Sequence, residues 1–213
     1  MERLMRRKRD VFTRLSKNKE PLKRILIVCE GEQTEPNYFR DFGLSSTEVM
    51  VVGAGRNTLS LVEKTKQIKD EREDKIAAPF SSIWCVFDRD DNPAHNVDNS
   101  IQKAKKYNFN VAYSNEAFEI WFILHFSYIS TALSRSQYRD ILNDYLNVKY
   151  EKNIKGIYER ILDKQQAAIR NAKMLAATYL QSQAFATRNP YTDVYALVEE
   201  LNELRKIRAE LLA

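Results

Sequence analysis

Two short apolar runs in this chain each stop abruptly at an acid. Ile25-Leu26-Ile27-Val28-Cys29 runs into Glu30-Gly31, and Ile83-Trp84-Cys85-Val86-Phe87 runs into Asp88-Arg89-Asp90-Asp91. Runs of this length suit a strand and are too short for a helix. Continuous apolarity without alternation is what a strand buried on both faces of a parallel sheet requires. Two such strands point to an open α/β sheet. Its ligand crevice lies outside the carboxyl ends of the strands, where the connecting loops splay apart. Glu30 and Asp88 stand at those ends, and Gly31 lets the chain turn sharply beside the first.

If Asp88 and Asp90 are both extended, their period-two spacing places the two carboxylates on one side of the chain. With Glu30 from the neighbouring strand, three acids meet at one sheet edge. Crowded like charges are costly unless a cation neutralises them. Carboxylate oxygens with retained water suit Mg²⁺, and Mn²⁺ is the alternative ion. The competing reading is an acidic crossing loop held by Arg or Lys, with Glu30 a carboxylate facing water.

The rest of the chain alternates strand and helix patterns. Thr34, Glu35 and Pro36 form a helix start in which Thr34 would cap, with Phe39 and Phe42 facing the sheet. Val49–Val52 is a second strand, followed by Gly53-Ala54-Gly55-Arg56-Asn57. That stretch lacks the ending of a phosphate-binding P-loop, although Arg56 could contact phosphate or simply sit in a turn. A polar outer helix is expected from Thr58 to about Lys75, another through Tyr107, and a fourth strand over Phe109–Tyr113. This alternation predicts a mostly parallel, Rossmann-like sheet flanked by helices.

Glu116 to Phe126 is apolar on almost every face and reads as a buried helix. Within it Glu119 is anomalous, because a buried carboxylate must meet a cation or hydrogen-bond donors. Asn115 and Glu119 would share one face of that helix. Glu119 is therefore a metal ligand, a group beside the ligands, or half of a structural pair with Arg or Lys. His125 has no partner at metal-ligand spacing and reads as a structural histidine. From Thr131 to about Thr187 helix formers dominate, with helical periodicity over Ser136–Leu146 and Tyr158 to about Gln183. Tyr138, Tyr145 and Tyr150 with Lys149, Lys152 and Lys155 mix aromatics and cations as single-strand-binding surfaces do, or pack as ordinary amphipathic helices. The last helix carries one apolar stripe, Val194, Leu197, Val198, Leu201, Leu204 and Ile207, which packs on the sheet or on another subunit. The expected organisation is a basic arm over 1–23, an α/β core over 24–128, and a helical lobe and C-terminal helix over 129–213 that pack on the core.

The formal net charge is +5, and it is uneven: residues 1–24 hold ten Lys/Arg against three Asp/Glu, so they carry +7 and the remainder −2. A basic arm containing Arg6, Arg7, Lys8 and Arg9 gives salt-sensitive affinity for nucleic acid or an acidic partner. A solvated tail is the other reading. No apolar run approaches the roughly 20 residues of a membrane span, and the N-terminus has no secretory h-region, so a cytoplasmic protein is expected. Cys29 and Cys85 lie in strands and match no zinc spacing.

Glu30-Gly31 after one buried strand and Asp88-x-Asp90 after another resemble the Toprim domain of topoisomerases, primases and several nucleases. A fuller set of motifs resembles the RloB-like proteins over roughly residues 22 to 205. It consists of Cys29-Glu30-Gly31-Glu32-x-Thr34-Glu35-x-x-Tyr38, Phe87-Asp88-x-Asp90, Asn115-x-x-Phe118-Glu119-x-Trp121-x-x-x-His125-Phe126 and Asn189-Pro190-x-Thr192-x-Val194. That resemblance implies a Toprim nuclease-like component of prokaryotic defence against phage, often encoded beside an AAA/ABC-type ATPase. By the same analogy Glu30 is the Toprim glutamate, and Asp88 and Asp90 are the metal-binding pair.

Phosphodiester hydrolysis is the reaction this implies. A metal ion on Asp88, Asp90 and Glu119 would polarise the phosphate and stabilise the leaving oxygen, and Glu30 would ligate metal or act as general base. Glu35, Asp91, Asn115 and His125 are expected around that ligand set, and Arg56 and Arg89 beside the nucleic acid. The chain has no Walker motif, so an ATP-dependent step needs a partner. A non-catalytic adaptor or sensor is the reading from another class, and nucleotidyl transfer would need a nucleotide pocket that no motif locates.

Overall fold

The computed structural model describes residues 23–45, 49–55, 58–76, 78–90 and 92–212. At its centre is a five-stranded sheet in the order β2-β1-β3-β4-β5. The strands are β1 (Ile25–Cys29), β2 (Val49–Gly53), β3 (Ser82–Asp88), β4 (Asn110–Asn115) and β5 (Tyr191–Thr192). The first four run parallel, and β5 is antiparallel to β4. Strand order reverses direction between β1 and β3, where Val28 pairs with Cys85 and Cys29 with Val86. This switch point is where an open α/β sheet forms its ligand crevice.

Every residue of β1 is buried, as continuous apolarity demands of a strand covered on both faces. The pleat divides the chain's apolar residues between two layers. Leu26, Val28, Ile83, Cys85 and Phe87 pack under α2 (Thr58–Ile76), through Leu61, Val62 and Ile68, and under α3 (Ala94–Lys106), through Val97 and Ile101. Ile25, Ile27, Cys29, Trp84, Val86 and Ala112 face the other way. There they meet α1 (Thr34–Arg40), α4 (Glu119–Ile123), α5 (Arg135–Leu146), α6 (Ile157–Ile161), α7 (Gln165–Ala177) and α8 (Val194–Leu212).

The helices after β4 therefore share one continuous core with the sheet. They form an insertion between β4 and β5, and β5 returns the chain to the sheet edge. Along the apolar stripe of α8, Val194, Leu197, Val198 and Leu201 are fully buried in that core. Trp84 Nε1 donates to Glu200 Oε2 at 2.7 Å and ties β3 to the same helix.

Several local expectations give way to tertiary contacts. Thr34 is the first residue of α1 rather than its cap; Gln33 holds the cap position without a side-chain bond, and the Thr34 hydroxyl donates to the Lys152 carbonyl at 2.8 Å. Asn115 ends β4, so it shares no helical face with Glu119. The expected helix from Tyr158 to Gln183 is two helices separated by a 3-10 turn, Leu162–Lys164, and it ends at Ala177. Tyr138 and Tyr150 are buried, so they pack rather than present a stacking surface. Among the described residues no helix is long and apolar enough to cross a membrane.

Candidate active site

Glu30 follows β1 directly, and its amide donates to Val86 O at 2.8 Å, which carries the β1 and β3 pairing one step beyond the strand. Its carboxylate is held from three directions. Oε1 accepts from Thr58 Oγ1 at 3.1 Å and from Asn92 Nδ2 at 3.5 Å, and Oε2 accepts the Asp88 amide at 3.4 Å. Burial raises the Glu30 pKa above its ordinary value, and these three donors work against the rise. The side chain remains half-buried, so solvent can reach it.

Asp88 is the last residue of β3 and only 8% exposed. Its Oδ1 is buried with no hydrogen-bond partner among the described residues. Burial pushes its pKa well up, and the charges of Glu35, Glu119 and Asp90 push in the same direction. Glu35 reaches this neighbourhood from the first turn of α1. It too is buried, with its pKa raised first by desolvation and also by Glu119 and Glu30, while Lys152 lowers it.

Asp90 does not continue the strand. Its φ of 41° is left-handed, so the period-two argument for Asp88 and Asp90 fails there. The carboxylate still lines the cleft, and it pairs with Arg135 Nη1 at 2.9 Å, from the start of α5. Arg135 Nε also lies 3.6 Å from Glu116 Oε1. Glu119 has a partner of another kind than the expected Arg or Lys: Tyr150 OH donates to its Oε1 at 3.0 Å.

These side chains surround two adjoining clefts. The first, about 380 Å³, is lined by Glu30, Glu32, Glu35, Asp88 and Asp90, with Lys152 as its cation. The second, about 520 Å³, is lined by Glu119, Arg135, Arg139, Lys149, Tyr150, Glu151 and Lys152. Lys152 belongs to both. Glycines let the loops close over the acidic cleft. A Cβ on Gly31 would collide with the Glu35 carboxylate, and one on Gly53 would lie 2.9 Å from Glu32 Cα and from Gly31 O.

Other expected site residues stand elsewhere. Asn115 Nδ2 donates to the carbonyls of Ala186 (3.3 Å) and Arg188 (2.7 Å), so it clamps the turn before β5 instead of supporting the acids. His125 is buried with Nδ1 bonded to Trp121 O at 2.9 Å, and burial pushes its pKa down to about 4. It is a neutral structural histidine outside both cleft linings, not a support for the ligand set. Arg89 lines neither cleft; its charge opposes the rise in the Tyr113 pKa, on the α2 and α3 side of the sheet. Arg6, Arg7, Lys8, Arg9, Arg56 and Asp91 lie outside the described residues.

Sequence reasoning missed Thr58, Asn92, Arg135, Arg139 and the tie from Tyr150 to Glu119. The capping box of Ser134 and Gln137 is a readable signal that Arg135 opens a helix, but nothing in it places that helix opposite Asp90. Among the described residues no three His, Cys, Asp or Glu side chains converge as a ready-made metal shell.

A mostly parallel sheet with helices on both faces and acids at the carboxyl ends of the two switch-point strands is a Rossmann-like α/β protein. Within that class, this chain belongs to the RloB-like protein family, whose model matches residues 25–201 and so takes in all five strands. No curated protein and no solved structure matches the chain significantly.

Proposed function

We propose that this RloB-like chain is a metal-dependent nuclease that hydrolyses nucleic-acid phosphodiesters, with Mg²⁺ or Mn²⁺ held by Asp88 and Asp90 beside Glu30. The observation that carries the reading is Asp88 Oδ1, an orphaned buried acceptor among three further carboxylates at the switch point of the sheet. A buried acceptor without a donor is costly, and a cation is the partner that a carboxylate crowd favours. The residues fit Mg²⁺ better than an ion that needs a full protein cage, because Mg²⁺ binds through one or two carboxylates and keeps its waters. That fit is compatible with the lack of a three-ligand shell among the described residues. Glu119, committed to Tyr150 and lining the second cleft, is a neighbour of the ion rather than a ligand.

When bound, the ion supplies charge to polarise the phosphate and stabilise the leaving oxygen. The chain's own residues supply the rest. Glu30, oriented by Thr58 and Asn92 and open to solvent, accepts the proton of the attacking water. Lys152, at the junction of the two clefts, offers a cation to the phosphate. The resemblance to RloB-like proteins supports a setting in prokaryotic anti-phage defence beside an AAA/ABC-type ATPase, in the cytoplasm. The basic arm over 1–23 would add general affinity for the polyanion.

A non-catalytic adaptor is the second reading, and the Asp90 pair with Arg135 favours it, since that pair takes one carboxylate out of play. Purified chain, with and without the neighbouring ATPase, is incubated with plasmid, single-stranded DNA and cellular RNA in Mg²⁺ or Mn²⁺. Calorimetric titration of the ion accompanies the assay. Cleavage that EDTA and Glu30→Ala abolish, with ion binding that Asp88→Asn removes, is the expected result. A defence phenotype that survives both Glu30→Ala and Asp88→Ala would replace the enzyme with the adaptor.

A further inference from the structure

The second cleft is lined by Arg139, Lys149 and Lys152, by Arg135, which already pairs with Asp90 and Glu116, and by the carboxylates of Glu119 and Glu151. Glu119 is engaged by Tyr150. Glu151 pairs with Lys149 at 2.9 Å, but that lysine side chain is 83% exposed, and a pair so solvated is screened by water and salt and exchanges readily. The cations come from two separate segments, the first turns of α5 and the connection between α5 and α6. That connection is pinned rather than loose. The Tyr150 amide donates to Asn143 Oδ1 at 2.6 Å, its hydroxyl reaches Glu119, and Thr34 holds the Lys152 carbonyl.

We infer that this cleft seats the sugar-phosphate backbone of a single-stranded nucleic-acid segment, whose adjacent phosphodiester enters the acidic cleft past Lys152. The inference deepens the nuclease reading and rests on it for the direction of the strand, not for the binding itself. A polyanion is the ligand that Arg139, Lys149 and Lys152 recognise together, and Arg offers its paired donors to phosphate oxygens. A single strand is favoured because Asp88 is recessed, and one backbone can enter a narrow cleft that a paired duplex would bridge. Tyr150 is only 3% exposed, so no aromatic face is open for base stacking in this cleft. Recognition is therefore through phosphates and indifferent to base.

The test measures binding of the full chain to a fluorescein-labelled oligothymidine by anisotropy in EDTA, where cleavage does not interfere. Wild type is compared with Arg139→Gln/Lys149→Gln. Losing two phosphate contacts lowers the salt slope by about 1.4, so wild type loses about 7-fold more affinity than the variant between 50 and 200 mM salt. Both side chains are exposed, so circular dichroism and the thermal midpoint should match wild type. An abasic strand of equal length should show the same dependence. Lys105→Gln/Lys106→Gln, on the surface of α3, is the control and should leave the slope unchanged.

An unchanged slope in the first variant, an equal fall in the α3 control, or stronger cation-dependent binding of a duplex would each overturn the inference. Cation-dependent binding without cleavage in Mg²⁺ by the chain and its ATPase sinks the nuclease reading alone. Cleavage that persists while Arg139→Gln/Lys149→Gln binds as wild type sinks this inference alone.

Discussion

Replacing Tyr150 by Phe removes one oxygen and nothing else, and that oxygen is the donor to a carboxylate buried to 5% exposure. The phenol stays protonated across the working range, because burial and the Glu119 charge both raise its pKa. A hydrogen bond to a charged group contributes about 1.5–3 kcal/mol, so Tyr150→Phe should lose that much stability at pH 7. For a chain of 213 residues each kcal/mol corresponds to about 2–4 °C, which gives a midpoint lowered by about 3–12 °C. Urea unfolding with linear extrapolation measures it directly. In a Glu119→Gln background the same change removes only a neutral bond, worth about 0.5–1.5 kcal/mol. The two backgrounds should thus differ by about 1 kcal/mol in a double-mutant cycle. A Tyr150→Phe protein within about 0.5 kcal/mol of wild type, or equal losses in both backgrounds, would refute the claim that this bond offsets the burial of Glu119.

Gly53→Ala should destabilise by about 1–3 kcal/mol, because the new Cβ would sit 2.9 Å from two backbone atoms of the Gly31-Glu32 turn; unchanged unfolding would mean that the turn yields freely. Asp193 is half-buried, with Oδ1 on the Tyr113 amide at 2.5 Å, and desolvation raises its pKa from 3.8 to about 7. Stability from this group is complete below the unfolded value and is lost as pH rises through the folded one. Between pH 5 and pH 8 the loss comes to about 2–3 kcal/mol. Asp193→Asn should flatten that decline, and parallel stability curves for variant and wild type would disprove the attribution.

What could be read in the sequence follows from range. β1 and β3 are legible because a strand buried on both faces must be apolar at every position, and Glu30 and Asp88 stand out by ending such runs. β5 is not legible, since the two residues Tyr191 and Thr192 are too few to show a period, and only pairing with β4 makes them a strand. Thr34 has the chemistry of a cap, yet its hydroxyl is drawn to a carbonyl 118 residues away. The spacing of Asp90 from Asp88 aligns the two carboxylates only if both residues are extended, and a left-handed turn and Arg135 decide instead where Asp90 points. Glu119 was recognisable as an anomaly in an apolar stretch, whereas its tyrosine partner 31 residues later was not. Local pattern reports burial; it does not report which distant side chain arrives to satisfy a buried group.

The insertion between β4 and β5 also sets an order of assembly. Glu30, Asp88 and Asp90 are all synthesised before Arg135, Arg139, Lys149 and Lys152. At about 5–20 residues per second, the roughly 60 residues from Asp90 to Lys152 take about 3–12 s to translate. During that interval the acids have neither the Arg135 guanidinium beside Asp90 nor Lys152 at the cleft rim. The strand that closes the sheet edge, pairing Tyr191 with Asn115, arrives later still. The acidic cleft therefore gains these cations only once the insertion between β4 and β5 has been translated.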